Sequence, residues 1–190
     1  YLELSHYFIQ SVISFSNMAK AEILFQIIRK WEGGWSDHEA DRGGKTNMGI
    51  TLTTWRSCGY DKDGDGDIDA DDLRLITPDD VFQVFKQHYW DRYQADYIHN
   101  QSIANICVDW LWASGVHGIK RVQRLLQIKE DGIVGPQTIA SINLANQRQL
   151  FEAIKADRIR FIDEICARDP SQQVFRKGWL NRINDFKFHS

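Results

Sequence analysis

Three cysteines among 190 residues, Cys58, Cys107 and Cys166, are odd in number and far apart, so neither a disulfide framework nor a zinc site is suggested. They are expected to be buried thiols. No apolar run approaches the roughly 18 residues that a membrane-spanning helix requires. A strong charge of one sign is also lacking. The net charge is -3, but residues 61 to 72 hold seven Asp and one Lys, a local charge of -6 that leaves +3 on the rest. So mild a positive balance excludes nucleic acid as the expected partner and is compatible with a weakly anionic polymer. Tyr1 to Asn17 has no basic start and no small-residue cleavage site, and it contains Glu3, so it makes a poor signal peptide. Met18-Ala19-Lys20 reads as a natural beginning, and residues 1–17 are expected to be a non-native or disordered extension.

What is present is 43% apolar residues with seven Trp, six Tyr and ten Phe, enough for one domain or two small lobes. Ile23, Leu24, Ile27, Ile28 and Trp31 follow the spacing of an amphipathic helix from Ala19 to Glu32, which Gly33-Gly34 should end through a left-handed glycine. Residues 36 to 53 predict a loop with a short hairpin. Thr77-Pro78-Asp79-Asp80 is a helix start with a Thr cap, proline at the first position and acids at the positive end, and the helix is expected to reach about Tyr93. Further helices are predicted near 102–114, 118–128, 136–146, 147–167 and 171–186. Strand signals are scarce, so the class is mainly α.

The densest chemistry lies in Trp31-Glu32-Gly33-Gly34-Trp35 and Asp41-Arg42-Gly43-Gly44-Lys45-Thr46-Asn47-Met48-Gly49-Ile50-Thr51. Glu32 ends a helix between two indoles. Helix C-termini carry partial negative charge and apolar walls disfavour an ionised carboxylate, so Glu32 is expected to keep a proton near neutrality, as a general acid must. Asp41 follows in a polar, glycine-rich segment where it can stay ionised. Two carboxylates pushed apart in this way divide the labour of glycoside cleavage. Thr46 is placed to hold an attacking water, and Trp35, Asn47 and Trp112 are candidates to bind the sugar chain. Glu39 is a weaker rival to Asp41, and an Asp in such a loop can also merely cap a turn.

These motifs, from Glu-Gly-Gly-Trp through Asp-x-Gly-Gly-x-Thr-Asn-x-Gly-Ile-Thr, resemble the glycoside hydrolase family 108 muramidases, endolysin-like proteins of which some carry the label secretion activator. The likeness spans about Ala19 to Phe186. It implies a lysozyme-like helical fold with a small β-hairpin near the active site, and cleavage of the β-1,4 bond between N-acetylmuramic acid and N-acetylglucosamine in peptidoglycan. The order Glu32, Asp41, Thr46 is also similar to the catalytic triad of T4-type phage lysozymes, although Thr46 comes one residue early. That likeness implies inversion of the anomeric centre. Asp109-Trp110-Leu111-Trp112, Val122 to Gln127 and Asp131 to Thr138 look like the peptidoglycan-binding region attached to this family. The resemblance thus divides the chain into a catalytic region at 18–100 and a helical, peptidoglycan-binding-like region at 101–190 packed on it. In the second region Leu125, Leu126, Ile133, Val134 and Ile139 are expected in the core, Trp112 and His117 are exposed candidates for wall contact, and Asp109 is a candidate buried acid. Arg158, Arg160 and Arg182 are candidates to meet wall carboxylates, although a solvated helix face is the commoner outcome.

Asp61-Lys62-Asp63-Gly64-Asp65-Gly66-Asp67-Ile68-Asp69-Ala70-Asp71-Asp72 matches the twelve-residue calcium loop of EF-hands. Asp61, Asp63, Asp65, Asp69 and Asp72 occupy its carboxylate positions, Gly66 the turn, and Asp67 the carbonyl position. A helix is expected after the loop and none is clear before it, which predicts a structural half-hand with calcium as a structural ion and no cofactor for the chemistry. The other reading of the same loop is a solvated acidic segment. For the whole chain the alternative to a hydrolase is a non-catalytic, calcium-stabilised wall-binding or secretion-accessory protein. A monomer is expected, made in the cytoplasm and delivered to the wall by a separate route.

Overall fold

Apolar side chains at helical spacing build α1 (Ala21–Trp31), whose Leu24, Phe25 and Ile28 are buried. The computed structural model describes residues 18–35 and 45–190, and the expected extension at 1–17 lies outside them. The chain divides into two compact units, Glu22–Tyr89 and a second formed by Trp90–Ser190 with residues 18–21. In the first unit α1 is followed by the antiparallel pair β1 (Thr46–Asn47) and β2 (Ile50–Thr51), then by α2 (Leu52–Cys58), α3 (Ala70–Leu75) and α4 (Pro78–Phe85). Phe25 on α1 lies 5.0 Å from the ring of Phe82 and 5.5 Å from that of Phe85 on α4. Ile50, Trp55 and Leu73 complete this core. The hairpin turns through Met48 (φ 46) and Gly49 (φ 82), the double left-handed turn that matches strand twist.

Two expectations about helix ends are corrected. Neither Gly33 nor Gly34 has positive φ. Instead α1 stops at Trp31, and the Glu32 N–H still bonds to Ile28 O at 3.0 Å. The helix begun at Pro78 has the expected reciprocal cap between Thr77 and Asp80, but it reaches only Phe85 before a π-helical turn, Lys86–Trp90. The wider turn shifts the register, and Trp90 becomes fully buried with its indole N–H donating to Asp96 Oδ1 at 2.6 Å.

The second unit is built around α5 (Gln101–Ser114). Every residue from Ser102 to Leu111 is buried, because a helix that is apolar nearly all round must be enclosed by others. Around it lie α6 (His117–Leu125), α7 (Pro136–Leu144), the long α8 (Gln147–Arg168) and α9 (Gln173–Asp185). Gly118 allows α6 to approach closely, since a Cβ there would stand 2.5 Å from the Leu111 backbone nitrogen. Val134 and Ile139 join the core as expected. Ile133 does not: it is 70% exposed, while its carbonyl accepts from Gln123 Nε2, which fixes the backbone there and leaves the side chain outward. Cys107 and Cys166 are buried, whereas Cys58 is half-buried. Among the described residues no helix is long and apolar enough to cross a membrane.

Two ionic clusters tie this unit together. Arg121 on α6 makes a bidentate pair with Asp157 at 2.8 and 3.0 Å and reaches Glu164 at 2.8 Å, both on α8. Deeper in, Asp109 on α5 is 0% exposed and accepts from Arg158 of α8 at 2.8 Å and from Arg182 of α9 at 2.7 Å. Arg158 is therefore buried and paired rather than part of a solvated face. Burial pushes the Asp109 carboxyl up, but the charges of Arg182 and Arg158 outweigh it and hold the group below its ordinary value. A depressed carboxyl stabilises the fold above about pH 4, its unfolded value, and that contribution is lost as pH falls further. Replacement of Asp109 by Ala removes the buried anion that Arg158 and Arg182 bind and is expected to lower the unfolding free energy by about 3–5 kcal/mol, read by urea denaturation at neutral pH. A loss within the ordinary surface range of about 0.5 kcal/mol would contradict this account.

Candidate functional site

Glu32 stands at the end of α1, half-buried, and lines a groove of about 230 Å³ with Phe25, Ile28, Gly34, Met48 and Val81. The apolar positions that hold α1 against α4 therefore also fix the carboxylate, and Met48 brings the hairpin tip to the same groove. Arg29 and Pro78 border it as well. Nothing in the sequence marked Met48, Pro78 or Val81 for this place, because a groove wall is assembled from side chains distant in the chain. Thr46 is half-buried in β1, paired with Thr51. Asp41 and Glu39 lie outside the described residues.

The substrate-binding candidates are placed differently from one another. Trp35 is 37% exposed, and the Arg74 guanidinium lies 4.4 Å from its ring centroid, a cation–π contact that covers one face. Asn47 is only 8% exposed, and its amide nitrogen donates to Leu73 O at 2.8 Å and Arg74 O at 3.4 Å. An amide nitrogen so engaged holds the hairpin to α3. Trp112 is half-buried on α5, and His117 is exposed at the start of α6, its ring 5.1 Å from that of Phe161.

The acidic segment forms a loop between two helices, not the half-hand expected, since α2 precedes it. That helix was obscured because its seven residues, LTTWRSC, carry one buried side chain, Trp55, and no clear stripe. Within the loop Asp61 Oδ1 and Oδ2 accept the N–H groups of Gly64 and Gly66 at 2.6 and 2.9 Å, and both glycines have positive φ. Asp72 is buried and accepts from the N–H groups of Lys62 and Asp69 at 2.6 and 2.7 Å. The carboxylates gather as two groups, Asp61, Asp63 and Asp65, and Asp67, Asp69 and Asp72, with the oxygens of each group within 4.8 Å. The Asp67 carboxyl is pushed above its ordinary value, first by the charge of Asp65, a repulsion that a divalent cation would offset. Hard oxygen donors at these positions suit calcium.

The loop is also anchored to its surroundings. Lys62 pairs with Asp80 at the start of α4 at 2.8 Å, and Tyr60 donates to the same carboxylate at 3.0 Å. Burial raises the Asp80 carboxyl, but its bonds from Lys62, Thr77 and Tyr60 prevail and hold it at about 2. Arg56 of α2 donates to Ile68 O at 3.1 Å.

Residues 25–115 match the family model described as Glycosyl hydrolase 108, and residues 117–184 match that described as Predicted Peptidoglycan domain. The chain thus carries a glycosyl hydrolase 108 region followed by a peptidoglycan-domain region. A solved structure titled "Structure of Brucella abortus SagA" is similar in fold, with a TM-score of 0.72 at 23% identity, covering 86% of this chain and 89% of that one. No curated protein matches this chain. The two matched regions make the function peptidoglycan-related, in a mainly helical, lysozyme-like fold.

Since the Asn47 side chain ties the hairpin to α3, Asn47→Ala leaves two carbonyls short of a donor. It is expected to cost about 1–3 kcal/mol of stability and to accelerate hydrogen exchange at the hairpin amides of Asn47 and Ile50. Unchanged exchange at these amides would rule out the anchoring role.

Proposed function

We propose that this protein is an N-acetylmuramidase that cuts the β-1,4 bond between N-acetylmuramic acid and N-acetylglucosamine. The observation that carries the reading is Glu32, fixed at the end of α1 on a groove that the hairpin tip also borders. Glu32 gives its proton to the leaving glycosidic oxygen as the bond to the anomeric carbon breaks. Asp41, carried by the glycine-rich segment before the hairpin, stays ionised and draws a proton from a water held by Thr46, which attacks the opposite face of the sugar. This route inverts the anomeric centre and calls for carboxyls roughly 6.5–9.5 Å apart. Trp35, its rear face covered by Arg74, offers its other face to a sugar ring. The peptidoglycan region at 117–184 keeps the enzyme on its polymer, at the cell wall.

Glu32→Gln keeps the shape and removes the transferable proton. Clearing of purified peptidoglycan is expected to fall about 10²- to 10⁴-fold, and mass spectrometry of the wild-type digest should show muramic acid at the new reducing ends. Equal clearing by both proteins would refute the assignment, and wall binding without clearing by the wild type would favour the accessory, non-catalytic reading.

We further propose calcium as a structural ion in the loop 61–72, held by the carboxylates of Asp61, Asp63, Asp65, Asp69 and Asp72 and the carbonyl of Asp67. Its chemistry is charge compensation, apart from the bond cleavage. Because α3 holds the hairpin through Asn47, a stiffer loop also steadies the strand that carries Thr46. Millimolar calcium is expected to raise Tm by several degrees, as binding to the folded state must, and Asp61→Ala should abolish the rise. An unchanged Tm would count against the ion.

A further inference from the structure

The helices α5, α8 and α9 leave a space between them. A pocket of about 110 Å³ is lined there by Trp110, Phe161 and Trp179, with Ser114, Arg158 and Arg182 completing the wall. Its surface joins two kinds of chemistry, three aromatic rings and two guanidiniums. One acid serves both cations, since Asp109 Oδ2 is bonded to Arg158 and Oδ1 to Arg182. Arg158 is 3% exposed, and its Nε is buried without a hydrogen-bond acceptor. A charged donor left so in a low-dielectric interior is costly and rare. The other groups that act electrostatically on Arg158 are the cation Arg182 and Cys107, whose thiol burial pushes up to about 12, so it is neutral. The Arg158 Nη1 donates to Ile106 O at 3.2 Å, so Nε is the Arg158 donor left without an acceptor, beneath an aromatic surface.

We propose that this pocket is a binding subsite for a small carboxylate that bears a short apolar group. The guanidiniums of Arg158 and Arg182 attract the carboxylate, and Trp110, Phe161 and Trp179 receive the apolar arm. Guanidinium groups suit a planar carboxylate, and the limited volume excludes an intact disaccharide. In peptidoglycan this chemistry has two sources, the terminal D-alanine of a stem peptide and the lactyl ether of muramic acid. The inference rests on peptidoglycan as the polymer and is independent of the chemistry at Glu32.

The test is a titration of full-length Glu32→Gln protein, followed by the indole N–H signals of Trp110 and Trp179 in nitrogen-correlated NMR. The probes are N-acetyl-D-alanyl-D-alanine, its C-terminal amide, and N-acetylmuramic acid. Saturable shifts are expected with at least one acid, with at least tenfold weaker binding of the amide. Tighter binding of the dipeptide assigns the stem peptide, and tighter binding of N-acetylmuramic acid assigns the lactyl group. Arg182→Gln should weaken binding at least tenfold. Ser114→Phe, which fills the pocket and leaves every charge in place, should do the same if Arg182→Gln does not fold. Equal binding of acid and amide, no saturable shift with either acid, or undiminished binding by Ser114→Phe would overturn the proposal. Because the readout needs no turnover, a failure of the Glu32 assignment in the clearing assay leaves this result intact, and the reverse also holds.

Discussion

A buried carboxylate shared by two arginines is the constraint on which the larger unit depends. Asp109 sits on the enclosed helix α5 and meets Arg158 of α8 and Arg182 of α9, so three helices are registered through one side chain. Hydrophobic contact along these helices tolerates sliding, because apolar attraction is not directional. Hydrogen-bonded charges do not tolerate it: a displaced partner leaves an unpaired charge in a medium that cannot solvate it. The Arg121 cluster repeats the device between α6 and α8 nearer the surface. The deeper arrangement sets two guanidiniums beside one buried carboxylate, and those guanidiniums give the neighbouring pocket its chemical character.

The smaller unit solves a different problem with a lighter linkage. A two-residue strand pair has little stability alone, and here one amide, that of Asn47, fastens it to α3. The same short helix closes the acidic loop, whose Lys62 is clamped by Asp80 at the start of α4. The loop, the hairpin and the helix start thus form one chain of contacts beside the groove that Glu32 lines. Under the proposed chemistry this arrangement separates tasks: α1 and its aromatic packing hold the acid, and the loop steadies the strand that carries Thr46.

Much of this was legible in the sequence, for physical reasons that can be named. Helices α5 to α9 were visible because their apolar spacing and their proline or glycine boundaries are local signals. The acidic loop was legible because its acids and glycines recur at fixed intervals within twelve residues. The π-helical turn after α4 was not legible, since it arises from the burial of Trp90 and its bond to Asp96, a tertiary demand that overrides continued α-helix. The anchoring contact of Asn47 was hidden for a similar reason. An Asn inside a glycine-rich motif suggests a polar surface, and only the proximity of the Leu73 carbonyl turns it into an internal fastener.

By itself the sequence determined the fold class, the family resemblance, the position of the candidate acid at a helix end and the acidic loop, because each depends on neighbours within a few residues. The tertiary structure alone decided which distant side chains share a surface: Met48, Pro78 and Val81 around Glu32, and Trp110, Phe161 and Trp179 beside Arg158 and Arg182. It also decided that those arginines face inward, since the sign of a charge can be read from a residue while its solvation depends on what packs around it.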